Sequence, residues 1–189
     1  MSQFDVVDLI MSDHREVERL FGIMTKQPES RVLHFPVLCA LLIAHSRAEE
    51  SDVYPVARDE AGETEEVAHS QEEHAEAEQM LEEMAAMDPT SREFDKALHD
   101  LVAAVTHHVE EEESTVLPGI RQGLSEQRRS ELADAFASTR AGHLGDRPGG
   151  ATKDELLQQA RNAGLSGISS SSKSEIQAEL LEQAQASDE

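Results

Sequence analysis

The sequence predicts an all-α protein: an up-down-up-down four-helix bundle with a short fifth helix and a small helical C-terminal tail. Three observations carry this. Alanine, leucine, glutamate and glutamine are abundant, and strand-like runs of valine, isoleucine and threonine between turn signals are missing. Apolar residues recur at helical spacing in four long segments. The breaks between those segments are short and carry helix punctuation, so neighbouring helices are expected to run antiparallel. With 189 residues, 38% of them hydrophobic, the chain suits one domain of ordinary size with an appendage.

The first segment, 4–27, sets Val7, Ile10, Val17, Phe21 and Met24 on one stripe, and KQPES ends it. The second, 31–60, carries Leu38, Leu41, Leu42, Val53 and Val56, and EAGE follows it. The third, 63–87, uses Val67, Ala77, Leu81 and Met84 and stops at MDPTS. The fourth, 91–122, uses Leu98, Leu101, Val105 and Val116. SEQRRSELADAFASTR, 125–140, is the expected fifth helix. The bundle domain is thus placed at 1–141, GHLGDRPGG in 142–150 as a linker, and 151–189 as a separate tail that reads helix, Gly-rich turn, serine run, helix.

The net charge is −23, from 39 acidic and 16 basic residues. Such a surface repels phosphate backbones and anionic lipid, which argues against nucleic acid and membrane as partners. The single cysteine, Cys39, cannot form an intramolecular disulfide, and its place in FPVLCALLIA reads as a packed thiol. That run alone is too short to span a bilayer, and the acidic N-terminus has no signal-peptide pattern, so a soluble cytoplasmic protein is expected.

One string occurs twice. HSRAEESDVYP (45–55) and HVEEEESTVLP (108–118) both spell H-x-x-x-E-E-x-x-V-[Y/L]-P. His14 continues the first apolar stripe, His45 the second, His74 the third and His108 the fourth. Glu49 and Glu112 follow His45 and His108 by one helical turn on the same face. His107 with Glu111 forms a competing H-x-x-x-E pair, but it is one step off the stripe and breaks the spacing to Pro118.

A lone core histidine is usually a hydrogen-bonded packing residue. Six ionisable groups on one seam are costly to bury unless something neutralises them. Two metal cations would do so, and imidazole with carboxylate suits iron, manganese or zinc. His14, His45 and Glu49 then form one half of a dinuclear site, and His74, His108 and Glu112 the other, with the glutamates bridging.

The order H…H-x-x-x-E…H…H-x-x-x-E on four helices resembles the hemerythrin-like (HHE cation-binding) family over 4–122. The resemblance implies a non-haem di-iron centre, oxo- or hydroxo-bridged, with histidine ligands at His14, His45, His74 and His108 and bridging carboxylates at Glu49 and Glu112. Dioxygen, hydrogen peroxide or nitric oxide would be its small-molecule partners. The chain departs from the family's oxygen carriers. Glu78 stands where they place a second histidine on the third helix, and Glu112 stands four rather than five residues after its histidine. Reversible oxygen carriage is therefore not expected; peroxide disproportionation is one expectation, and oxygen or iron sensing without turnover is the other.

The vacated position leaves Glu78 or a phenolate as further candidate metal ligands. Tyr54 is the only tyrosine. Ideal helix geometry places it about opposite His45, where packing at the bundle end is the plainer role, although Pro55 can disturb that turn. A ferritin-like reading needs two inward Glu-x-x-His motifs, and EVAH at Glu66–His69 has no partner on the fourth helix. His69 itself points away from the seam. The tail resembles the helix-loop-helix module at the N-terminus of transcription terminator Rho and SAP-like domains. With three basic and seven acidic residues and no aromatic it has no nucleic-acid footprint, which leaves a protein partner or a loosely tethered accessory. The tail is expected to be dispensable for the metal site.

Overall fold

The computed structural model describes residues 4–187, and there is no strand among them. Helix α1 (Val6–Lys26) begins where the Asp5 side chain accepts the Val7 N–H, satisfying one of the free donors of the first turn. A 3-10 turn, Pro28–Ser30, leads into α2 (Arg31–Ala48). The chain continues helically through a π-turn (Glu49–Val53), the short α3 (Tyr54–Val56) and a second π-turn (Ala57–Ala61). Gly62, at φ 84, ends it, in a left-handed conformation that glycine takes without strain. α4 (Thr64–Ala85) and α5 (Arg92–Ser114, capped by Ser91) complete the bundle. α6 (Val116–Gly123) and α7 (Glu126–His143) follow, and α7 lies against α1 and α2. Pro28–Ala61 is long and apolar enough to cross a membrane by length and composition, but 61% of its apolar window is buried in the bundle, as in a core helix.

Two apolar clusters fill the bundle. One contains Leu20, Met24, Leu38, Leu81, Phe94 and Leu101. The other contains Val7, Ile10, Val67, Leu117, Ile120 and Phe136. His14 lies between Ile10 and Val17, which belong to different clusters, so a polar layer sits between two dry plugs. Cys39 packs in the first cluster, and burial pushes its thiol up to about 12, so it is an inert packed group.

The duplicated string folds in two ways. Proline has no N–H to give the carbonyl four residues back, so each copy must relieve that loss. After Glu112 the helix breaks at Thr115, at φ −123 and ψ −78, and Leu117 packs in the core. After Glu49 it widens instead, and the Tyr54 N–H donates to the Glu49 carbonyl five residues back. In a π-turn, residues five apart lie close to one side, so Tyr54 swings over Glu49 rather than opposite His45. Tyr54 is fully buried.

The tail is not a detached unit. α8 (Lys153–Asn162) opens with a Thr152–Glu155 capping box, and α9 (Lys173–Ser187) packs along α4. Leu156, Ala160, Ile176 and Leu180 form their own small core, with Ala75 of α4 packed against it. Gln159 Nε2 donates to Glu50 Oε2 at 2.9 Å. Asn162 Nδ2 donates to the Glu50 carbonyl at 2.9 Å and to Gln71 Oε1 at 3.0 Å. The 142–150 segment also binds: the Gly149 N–H donates to Glu78 Oε1 at 3.0 Å, and a Cβ there would meet the Glu82 carboxyl at 2.6 Å. The tail thus packs on the bundle, which argues against the expectation that it is dispensable. Its polar residues satisfy the carboxylate and carbonyl of Glu50 inside the bundle. Asn162→Ala should cost about 1–3 kcal/mol, the penalty for leaving buried polar groups unpaired. Denaturant unfolding checks this, and a chain stopped at Gly149 should lose at least as much. An unchanged midpoint for both would contradict the docking.

Candidate metal centre

All six inward groups predicted from the sequence meet in the polar layer, and all are buried. His14, His45, Glu49 and Glu112 place one ligand atom each within 4.8 Å of one another. Glu49, His74 and His108 form a second such group, so Glu49 belongs to both. His45 Nε2 lies 3.1 Å from Glu49 Oε2, and His74 Nε2 lies 3.4 Å from the same oxygen. His14 Nε2 faces Glu112 Oε2 at 3.3 Å. The two Nε2 atoms of His74 and His108 face each other at 3.1 Å.

The outer nitrogen of every ring is held by a carboxylate from the neighbouring helix. Asp13 Oδ2 on α1 takes His45 Nδ1 at 3.2 Å. Glu50 Oε1, in the first π-turn, takes His74 Nδ1 at 3.3 Å. Glu73 Oε2 on α4 takes His108 Nδ1 at 2.8 Å. Glu113 Oε1 on α5 takes His14 Nδ1 at 2.9 Å, which closes the circuit around the bundle. A carboxylate only accepts, so each Nδ1 carries a proton and each Nε2 is the inward nitrogen, the one whose lone pair a cation would take. This is the outer arrangement by which carboxylates orient metal-binding imidazoles. Beyond it stand cations: Arg140 on Asp13 at 2.5 and 2.8 Å, Arg47 on Glu50 at 2.9 Å, and Arg15 on Glu113.

Buried polar atoms without partners are rare and costly. Here His14 Nε2, His45 Nε2, Glu49 Oε1 and Glu112 Oε2 have no hydrogen bond, and all four point into the first group. A cation would satisfy them together, and the facing Nε2 atoms of His74 and His108, 3.1 Å apart, would serve one in the second group. The donor set of imidazole nitrogen and carboxylate oxygen fits a transition-metal cation.

The electrostatics of the metal-free chain agree. Burial opposes charge on His45, but the neighbouring carboxylates of Glu49 and Asp13 outweigh it and push the ring up to about 10. Burial likewise opposes charge on His74, and Glu49 and Glu50 push it up to about 9. His14 is raised as well, burial being outweighed by Glu112. Glu49, fully buried, is nevertheless held well below the carboxylate range by His45 and His74. Without a cation, protons on His14, His45 and His74 supply positive charge in its place.

Tyr54, whose role the sequence left open, ends at this site. Its hydroxyl lies 3.1 Å from His74 Nε2, 3.3 Å from Glu112 Oε1 and 3.5 Å from Glu49 Oε2. Burial, with Glu112 and Glu49 beside it, holds the phenol well above its ordinary range, so the metal-free chain keeps it neutral. Glu78 does not reach either group. Arg47 binds both of its oxygens at 2.7 Å, and the Gly149 N–H binds one of them. This ion pair occupies it, so the structure does not place it as a ligand. His107 and Glu111 stay outside the polar layer with His69. A cavity of about 160 Å³ opens beside the four histidines, walled by Leu42, Ala77, Leu81 and Val105.

Sequence reasoning missed Asp13, Glu50, Glu73 and Glu113. The signal was present: each is the immediate neighbour of an inward ligand, in Asp13–His14, Glu49–Glu50, Glu73–His74 and Glu112–Glu113.

A helical bundle with four inward histidines, each braced by a carboxylate, defines a metal-binding domain. The hemerythrin HHE cation binding domain matches residues 5–120, and the chain belongs to that family. A protein named "DNA nickase" from Nostoc sp. (strain PCC 7120) is 31% identical over 139 residues, which cover 72% of this chain and 39% of that protein. No solved structure matches the chain significantly.

The imidazole shifts set a pH profile. Groups raised from 6.5 to about 9 and about 10 give the metal-free fold stability that is full below pH 6.5 and fades as pH rises through those values. Glu49, lowered from 4.5, gives stability that is present above that pH and lost below. Metal-free protein should therefore be most stable between about pH 5 and 6.5 and lose stability toward pH 10. Denaturant midpoints read this. Metal-loaded protein should lack the alkaline loss and release protons on loading.

Proposed function

We propose that the chain holds two iron ions, one in each ligand group, and that this centre reacts with hydrogen peroxide or dioxygen. The observation that carries the reading is the set of inward atoms with no partner, arranged as two groups that share Glu49. Glu112 is suited to the second shared position, because one oxygen faces His14 and the other accepts from Tyr54 beside His74. Two adjacent irons supply a two-electron exchange when bound, which peroxide disproportionation requires. The residues supply the rest. Asp13, Glu50, Glu73 and Glu113 aim the imidazoles. The apolar plugs close the polar layer on two sides, and the cavity leaves room for a molecule of a few atoms. Tyr54 holds a proton on its hydroxyl within reach of Glu112 Oε1. A phenolate ligand in the second group is the other role for Tyr54, and it requires that proton to leave.

Elemental analysis tests the metal. About two irons per chain are expected, and Glu49→Ala should retain well under one, because both groups lose a ligand. Two irons in that variant would refute the shared carboxylate. An oxygen electrode tests the reaction: slow oxygen release from peroxide, absent in Glu112→Ala, is expected, with no reversible oxygenated spectrum. A visible absorption band of the ferric protein lost in Tyr54→Phe would assign Tyr54 as a phenolate ligand.

A second reading, sensing of oxygen, nitric oxide or iron without turnover, is favoured by one observation. Glu50 braces His74 on one side and binds Gln159 and Asn162 of the tail on the other. Loading that shifts His74 would then be felt at the tail, where a protein partner would read it; the Rho- and SAP-like resemblance is taken in that sense. No oxygen release, together with metal-dependent protease protection of 151–187, would put this reading first. The name of the cyanobacterial relative raises strand cleavage as a rival, opposed here by a net charge of −23. Relaxation of supercoiled plasmid by the loaded chain would revive it. A cytoplasmic setting accords with both readings.

A further inference from the structure

Outside the core, α4 and α5 carry a second matched pair of H-x-x-x-E motifs. His69 and Glu73 stand one turn apart on α4, and His107 and Glu111 one turn apart on α5. The two helices pack against each other, and one ligand atom from each of these residues lies within 4.8 Å of the others. His69 Nε2 is 3.0 Å from Glu111 Oε2 and 3.8 Å from Glu73 Oε1. His107 Nε2 is 3.5 Å from Glu111 Oε1 and 3.9 Å from the same Glu73 oxygen. All but the first are too long for good hydrogen bonds. They bracket the edge of a tetrahedron with metal–ligand bonds of about 2.0–2.1 Å, which is about 3.3 Å.

We propose that His69, Glu73, His107 and Glu111 form a mononuclear site for a divalent transition cation of the zinc class, separate from the core centre, which ties α4 to α5. Two imidazole nitrogens and two carboxylate oxygens are a donor set that Zn²⁺ takes in tetrahedral geometry. Ligands at i and i+4 on each helix already share a face, so occupancy asks for rotamer adjustment and no backbone movement. Glu73 makes the site more than a surface staple. Its Oε1 faces the outer histidines, while its Oε2 holds His108 Nδ1 at 2.8 Å. One carboxylate therefore spans the outer cation and a ring of the core centre, and its bond to His108 is made without the outer ion, so iron loading does not depend on the outer site. The site does not rest on the identity of the core metal.

The test uses the full chain, first loaded with iron and then dialysed against micromolar Zn²⁺, with zinc and iron counted by elemental analysis. The comparison is His69→Ala/His107→Ala. Wild type should hold about one Zn²⁺ per chain more than this variant, at equal iron content, and zinc should raise the thermal midpoint of wild type only. Circular dichroism confirms that the variant keeps its helices, as substitution of partly exposed side chains should allow. Equal zinc in the two proteins would overturn the proposal and leave the cluster as ordinary ion pairs. Loss of iron along with zinc in the variant would also overturn it, by assigning these residues to the core centre. Absence of iron from both proteins would count against the di-iron reading alone, because the zinc difference is read independently of it.

Discussion

The structure depends on a closed circuit of four carboxylate–imidazole hydrogen bonds around the bundle axis. Each of α1, the first π-turn, α4 and α5 gives a carboxylate to the histidine of the next helix: Asp13 to His45, Glu50 to His74, Glu73 to His108, and Glu113 to His14. Because a carboxylate cannot donate, every ring is fixed with its second nitrogen inward. The same bonds lock the four helices to one another. Ligand geometry and helix register are thus one constraint, and a helix that slid or rotated would break two of these bonds.

That constraint is expensive, which explains the surroundings. Inward imidazoles and carboxylates are buried between two apolar clusters, where unpaired polar atoms cost free energy and a cation is worth most. The outward carboxylates are in turn stabilised by Arg140, Arg47 and Arg15. Glu50 is held down to about 2 against its own burial, chiefly by Arg47, with His74 and Gln159 adding to it. The tail belongs to this outer tier. Its Gln159 and Asn162 complete the partners of Glu50 and of a carbonyl in the π-turn, so docking of α8 and order at His74 share a residue.

Much of the bundle and the inward set was legible because helical periodicity is a strong signal. His14, His45, His74 and His108 each continue an apolar stripe, and that alone places them on the seam. The helix boundaries followed from Ser91, Gly62 and the proline-bearing breaks. What periodicity could not give was any departure from 3.6 residues per turn. The π-turn at Glu49–Val53 moved Tyr54 from the far side of the helix to the site, and identical proline spacing in the other copy produced a break instead. Tail docking was hidden for another reason. Its polar anchors, Gln159 and Asn162, look like ordinary solvated residues until their partner Glu50 is seen to be buried. Glu78, adjacent by spacing to the site, was claimed by Arg47, a competition that spacing does not reveal.

The most direct test of the circuit is the protonation of the four rings, read by long-range ¹H–¹⁵N correlation of the histidine side chains in protein loaded with diamagnetic Zn²⁺. The circuit requires that His14, His45, His74 and His108 each carry a proton on Nδ1 that is slow to exchange, and that each Nε2 shows the shift of a metal-bound nitrogen. A proton on Nε2 of any of the four in the loaded protein, or metal on its Nδ1, would contradict the account.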